Sequence, residues 1–332
     1  ATDYFDETVG PYVSGLAYAV KESPGSGTAT VPGKLMGVPF NGVLNYPLNT
    51  SGAGYNLIGN PYPSNLDIYS LYHSNHEKLA DANFFFWDNT NNTLHEQHGP
   101  GYNGDHYAKY NAVSNTGTAA PCNVYGSGCD KIPDRFVKGG AGFLVKAASG
   151  TLDFNNSYRT TDGSIDFFGK GFASETLTDR YWLAITTPSD IKISSAVVYF
   201  EGGNDAFAID DTESFLGSDD LHSIADGHPL AIQGKAPFHI NDQVPLGYKA
   251  FENGTYILSV FKTEGVFAQD QDIYLIDKLL GKTVNLSQKP YKFMTRAGQY
   301  SDRFVVVYKP SISTGVAVNA SNQILFSKQN NQ

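Results

Sequence analysis

Residues 254–261 read GTYILSVF and residues 302–309 read DRFVVVYK. Tyr256, Leu258 and Val260 occupy every second position of the first stretch, and Phe304, Val306 and Tyr308 do so in the second. A period of two puts alternate side chains on one face of an extended chain, so each stretch reads as a strand with one face turned to a core. Working outward, RYWLAIT (180–186), SAVVYFE (195–201), PLAIQG (229–234), DIYLID (272–277), TVNLS (283–287) and YKFMT (291–295) continue the series between Gly, Asn and Asp turns. Short strands at spacings of about ten residues predict a β-sandwich of jelly-roll type.

The first half carries similar runs with longer loops: GLAYAVK (15–21), KLMGVPFNGVLNYPL (34–48), GYNLIG (54–59), NFFFWDN (83–89), GAGFLVKA (140–147) and LDFNNSYR (152–159). The chain is therefore expected to be all-β, with two jelly-roll-like β-sandwich domains, long loops and at most short helices. The expected boundaries are 1–172 and 173–310, with the join in the Gly-rich segment FFGKGFASETLT (167–178). Residues 311–332 are polar and read as a linker or the start of a further segment.

Composition narrows the partners. Charged residues make up 17% of the 332 positions, aromatics 13%, and the net charge is -10. With no Lys/Arg cluster to reverse that sign locally, phosphate backbones and anionic lipid are repelled, which argues against nucleic-acid or membrane-surface partners. The longest apolar runs, FFFW (84–87) and FVVVY (304–308), fall far short of the roughly 20 residues needed to span a bilayer. The opening ATDYFDETVG has no basic segment followed by an apolar one, so a signal peptide is expected to be already removed or to lie upstream.

The two cysteines stand in PCNVYGSGCD, around a Gly-Ser-Gly turn. A Cys122–Cys129 disulfide is the expected reading, stabilising by about 2.5 kcal/mol in the chain-entropy model and implying an oxidising compartment. A zinc site would need four ligands, and the sequence has no second CxxC or His pair at finger spacing.

Residues 55–67, YNLIGNPYPSNLD, concentrate backbone control. Asn60 and Tyr62 each precede a proline, Pro61 and Pro63, and are thereby pushed out of the helical region. Gly59 supplies a conformation free of side-chain clash, and Ser64 with Asp67 fits the helix-start pattern [ST]-x-x-[DE] ahead of Leu66, Ile68, Leu71 and Tyr72. The stretch reads as a structural strand-to-helix turn of Gly59, Asn60, Pro61, Pro63 and Ser64, with Tyr62–Pro63 a candidate cis bond. It holds no nucleophile or metal cluster.

YNLIGNPYPSNLD also resembles the WNLIGNPYPSAIDW-type signature of large secreted and cell-surface proteins of Bacteroidota exported by the type IX secretion system. KGGAGFLVKAASGTLDFNNSYR is similar to that family's "GQGFFV" strand and the "tltFnnamR" strand after it, and DRYWLAIT, EGGNDAF, PLAIQGKAPF, QVPLGYKA, DIYLIDKLLGKTVNLSQKPYKF and SDRFVVVYKP follow its motif order. The resemblance implies export across the outer membrane to the cell surface, through secretion machinery that reads a C-terminal sorting domain, of which VAVNASNQILFSKQNNQ resembles a truncated start. Relatives of this kind include adhesins and gliding-motility proteins.

Catalytic patterns are thin: there is no G-x-S-x-G elbow, and HEQH (95–98) is one residue short of H-E-x-x-H. His73, His76, His95, His98 and His106 form a metal cluster only if their loops converge, and read otherwise as solvated loop residues. EGGNDAFAIDDTESFLGSDD (201–220) gathers Glu201, Asp205, Asp210, Asp211, Asp219 and Asp220 without a basic residue. Calcium ligation and a solvated acidic loop are the two readings, and the spacing fits no EF-hand, nor does DNTNNT (88–93). No catalytic residue is assigned. The expected function is a non-catalytic structural or adhesive module contacting surface glycans or other surface proteins. The alternative is a carbohydrate-binding or carbohydrate-active protein, motivated by Trp87, Trp182 and 21 tyrosines. Core packing accounts for most of these aromatics, but Trp87 ends its strand at a polar turn where an exposed ring can sit.

Overall fold

The computed structural model describes residues 14–17, 38–88, 106–125, 129, 131–163 and 178–310, and over these the chain is all-β. HEQH, nearly all of FFGKGFASETLT, residues 311–332 and the GLAYAVK run beyond residue 17 lie outside them.

All eight runs expected in the second half form strands of one twelve-stranded sheet. Its order is Lys282–Asn285, Tyr274–Asp277, Gly298–Val307, Gln243–Ala250, Asp220–Ala225, His228–Lys235, Ile191–Tyr199, Asp179–Thr186, Gly254–Glu264 and Tyr291–Thr295. Thr212–Glu213 and Cys122–Asn123 attach off this path. Neighbours run antiparallel except Ile191–Tyr199 beside His228–Lys235, where Ala196 stands opposite Ile232 in a parallel ladder. That ladder covers only the second half of Ile191–Tyr199. Cys122 and Asn123 pair with Lys192 and Ile191 in the first half.

The faces read from periodicity are observed: Tyr256, Leu258, Phe304, Val306 and Tyr308 are buried in one core, with Val260 packed against it. The sheet curls so that its ends approach. Phe293, on the last strand, meets Phe304 edge-on at 4.8 Å and Tyr248 edge-on at 5.3 Å, near the other end. Tyr291 Oη donates to Asp277 Oδ2 at 2.8 Å and Arg303 Nη1 to the Met294 carbonyl at 3.2 Å, so the sheet is close to a closed barrel.

Two strands on the main path of this sheet were not expected as such. Asp220–Ala225 hides its polar Asp220, His222 and Ser223, so no apolar alternation advertises it. Its hairpin to His228–Lys235 turns at Asp226 (φ 49°) and Gly227 (φ 83°), an Asp-Gly pair of the kind that favours a tight hairpin. Gln243–Ala250 contains Pro245 and Gly247, both poor strand formers. A Cβ at Gly247 would sit 2.1 Å from His222 Nε2, so the neighbouring imidazole explains the glycine.

The first half is organised on a five-stranded antiparallel sheet, in the order Tyr55–Gly59, Gly142–Lys146, Asn83–Trp87, Tyr107–Asn111 and Thr116–Thr118. One face buries Ile58, Phe84, Phe86, Tyr110, Phe143 and Val145 against Leu66, Ile68, Leu71 and Tyr72. Leu44–Pro47 pairs with Thr151–Phe154, and Asn65–Asp67 lies between Arg159–Thr160 and Phe136–Val137.

In the GNPYPS turn, Asn60 is the organising residue. Its Oδ1 accepts from Tyr62 N at 3.0 Å, and its Nδ2 donates to the Ser64 carbonyl at 2.9 Å and the Val137 carbonyl at 3.0 Å. Tyr62 is buried and donates its hydroxyl to the Gly42 carbonyl at 2.8 Å. Two details correct the sequence reading. Ser64 does not start the helix: Asn65–Asp67 is committed to strand pairing on both sides, so the helix Ile68–Asn75 begins after it. Asp67 is the cap, accepting from Tyr69 N and Ser70 N, while Ser64 Oγ accepts from Arg159 Nε at 3.2 Å. The Tyr62–Pro63 bond is trans.

Candidate binding surface

The five-stranded sheet packs one face on its core, and the other carries the residues of interest. Strand alternation sends Phe84 and Phe86 inward and Asn83, Phe85 and Trp87 outward. Next to them Tyr107, Lys109 and Asn111 also face outward, with Asn83 opposite Asn111, Phe85 opposite Lys109 and Trp87 opposite Tyr107.

One end of this outer face is covered by the second half of the chain. Asn111 Nδ2 lies 3.1 Å from Asn83 Oδ1, 3.1 Å from the Ile209 carbonyl and 3.0 Å from the Asp211 carbonyl. Thr212 Oγ1 donates to Asn83 Oδ1. Alongside, Trp182 Nε1 donates to the Gly117 carbonyl at 2.7 Å and Arg180 Nη1 to the Asn115 carbonyl at 2.7 Å. Buried amides satisfied in this way hold two surfaces in a single register. Trp182 is therefore a buried seam residue, with Lys262 over its ring, and is not a platform for a ligand.

In the middle of the face, the Phe215 ring lies 5.1 Å from Phe85 and 6.1 Å from Tyr107, and Lys109 Nζ sits 4.9 Å from its centroid. At the far end the rings are partly exposed. Trp87 is 41% exposed, with Tyr107 5.2 Å and His106 5.0 Å from its ring. Tyr55 is 45% exposed and meets Phe85 edge-on at 5.9 Å. A continuous run of rings thus crosses the face from Trp87 through Tyr107, Phe215 and Phe85 to Tyr55. Phe215 and Lys109 also border a cavity of about 20 Å³, shared with Ser194, Ser214, Asp219 and Asp220. The buried Ser194 hydroxyl has no hydrogen-bond partner.

The acidic stretch is not a solvated loop. Only Glu201 and Asp205 lie in exposed turns, and Asp205 Oδ1 is bonded to Lys235 Nζ at 2.6 Å. Asp210 is buried and accepts from Asn204 N, and Asp211 is buried and accepts from Ala208 N and Gly234 N. Burial pushes the Asp211 carboxyl up to about 7, against the pull of those two N–H groups. Asp219 accepts from Phe251 N and Tyr256 Oη. The carboxylates are thus distributed over backbone and side-chain donors, and among the described residues no group of three or more His, Cys, Asp and Glu is placed to hold a metal ion.

Ser214, Asp220 and His222 come together in a way the sequence did not suggest. Ser214 Oγ donates to Asp220 Oδ2, and His222 Nδ1 lies 2.6 Å from Asp220 Oδ1. Both partners use the carboxylate and no Ser–His bond is formed, so the imidazole is not positioned to take the serine proton as a nucleophilic triad requires. The histidines that would form a metal cluster only if their loops converged are not all brought together among the described residues. His73 reaches the backbone of Ala112, and His106 lies at the opposite end of Tyr107–Asn111. His95 and His98 are outside the described residues.

Cys122 and Cys129 form a disulfide with Cα atoms 5.2 Å apart. It anchors the short strand that completes the edge of Ile191–Tyr199. The Gly59, Asn60, Pro61, Pro63 and Ser64 turn lies among Val137, Arg159 and Gly42 on the other side of the core.

This chain belongs to a family described as a domain of unknown function (DUF8693), whose model matches residues 3–308. No curated protein and no solved structure matches it.

Proposed function

We propose that the protein is a non-catalytic adhesive module of a bacterial surface protein exported by the type IX route, and that the partly exposed aromatic face is its contact surface. The observation that carries the reading is the ring run in which Trp87, Phe215 and Tyr55 are exposed and Tyr107 is partly buried between Trp87 and Phe215, on a sheet tied to the second half of the chain by Asn111. Large rigid aromatics presented at low entropic cost are what contact surfaces favour. The type IX assignment rests on the sequence resemblance, and the disulfide is consistent with an extracellular, oxidising location. The finer architecture belongs to the same proposal: two jelly-roll-like sandwich domains over 1–172 and 173–310, supported by two separate large apolar clusters.

The test compares the purified chain with its Trp87→Ala/Tyr107→Ala variant for binding to cells and extracellular matrix, beside turnover assays on polysaccharides and peptides. Saturable binding lost in the variant, without turnover, is expected. Reproducible turnover, or binding indifferent to both substitutions, overturns the proposal.

A further inference from the structure

We infer that the ligand class of this face is a neutral glycan, whose sugar rings stack on Trp87 and Tyr107 while a hydroxyl enters the slot between Phe215 and Ser194. The inference rests on the adhesive reading above and adds the chemistry of what is bound.

Three observations point to a polyol. The first is the ring run itself. A pyranose has one face of C–H groups and a rim of hydroxyls, so it matches a surface where exposed ring faces lie beside polar groups. Tyr107, Tyr55 and His106 bring polar atoms to the edges of this run, and the carboxylate of Glu213 is exposed on the strand just before Phe215. Apolar stacking area combined with a few placed polar groups is the usual make-up of a small-molecule site.

The second is the slot. A cavity of about 20 Å³ admits a water-sized group and nothing much larger, the scale of a single hydroxyl. Its wall includes Ser194, buried with an unpartnered hydroxyl, as well as Ser214, Lys109 and the Asp219 and Asp220 carboxylates. A ligand hydroxyl is both donor and acceptor and suits that mixed lining. A group that completes the hydrogen bonding of this buried hydroxyl is favoured there over one that cannot.

The third is charge. The slot is lined by Asp219 and Asp220, with the Lys109 ammonium against the Phe215 ring and the Lys249 ammonium on the Leu216 and Gly217 carbonyls, so the cations beside it are already engaged. Sulfated or uronic-acid chains would meet these carboxylates, and neutral sugars would not be repelled.

The protein itself offers the readout, because it has two tryptophans and Trp182 is buried in the seam. A glycan array with neutral, sulfated and uronate-bearing saccharides identifies ligands, and fluorescence titration with the best one reports on Trp87. The expected result is selective neutral-glycan binding with a change in tryptophan emission. Affinity should fall at least about tenfold in Trp87→Ala and severalfold in Ser194→Val, which fills the slot, with melting temperatures near wild type. Retention of full affinity in folded Trp87→Ala overturns the inference, as does preference for acidic glycans. Binding to enzymatically deglycosylated cells that still depends on Trp87 overturns the glycan assignment while leaving the adhesive reading intact. Loss of cell binding in neither variant overturns the adhesive reading itself.

Discussion

At Gly234 an added methyl group would lie 2.4 Å from Asp210 Oδ2, and the same residue's N–H is held by Asp211 Oδ1 at 2.8 Å. Gly234→Ala must therefore displace a buried carboxylate, and thermal denaturation should show a loss of roughly 2–4 kcal/mol, in the range of overpacked or newly unsatisfied buried sites. A variant melting with wild type would mean that the Asp210–Asp211 pocket is looser than described. Asp211 adds a pH signature. Its carboxyl is pushed up to about 7 by burial, above the unfolded value of about 3.9. A raised folded pKa stabilises fully below the unfolded value, and that stability is lost as pH rises through the folded one. From about pH 4 to 7 this group should lower the unfolding free energy by at most ~1.4 kcal/mol per pH unit. Chemical denaturation across that window should show a shallower decline for Asp211→Asn than for wild type. Parallel profiles would remove Asp211 as the source.

Asn60 lies at the boundary of residue and element, because three hydrogen bonds from one buried amide shape the turn between a strand and the strand that leads into the helix. Asn60→Ala should cost about 1–3 kcal/mol, and Pro63→Ala less, with binding by the folded protein unchanged in both. Unchanged stability with abolished binding would make the turn a functional site. What the sequence disclosed at this scale was the alternation in GTYILSVF and DRFVVVYK, because each sends one uninterrupted apolar face inward. It also disclosed Trp87, whose strand ends at a polar turn. It concealed Asp220–Ala225 and Tyr107–Asn111, where polar side chains are buried by pairing with residues far along the chain. Asn111 is the clearest case: it bonds to residues 98 and 100 positions away, and no local pattern encodes that. The same cause explains the acidic stretch, whose partners include Lys235, thirty residues from Asp205, and Tyr256, thirty-seven from Asp219.

Across the whole molecule, the segment between residues 209 and 215 lies on the outer face of the first sheet, and Trp87 beyond it is 41% exposed. Because the buried carboxylates of 201–220 are already hydrogen-bonded, melting curves in EDTA and in millimolar calcium should coincide. A calcium-dependent rise that Asp210→Ala removes would instead establish a calcium site. Reducing the Cys122–Cys129 bond should lower the melting temperature and loosen the edge at Ile191–Tyr199, without touching the aromatic face. The account stands most directly on Trp87, which is partly exposed at the end of the ring run. Acrylamide quenching of tryptophan emission, measured with the protein free and then bound to its target cells, isolates this residue because Trp182 is buried in the seam. Protection of the quenchable tryptophan on binding is the result the account predicts, and undiminished quenching in the fully bound protein would contradict it.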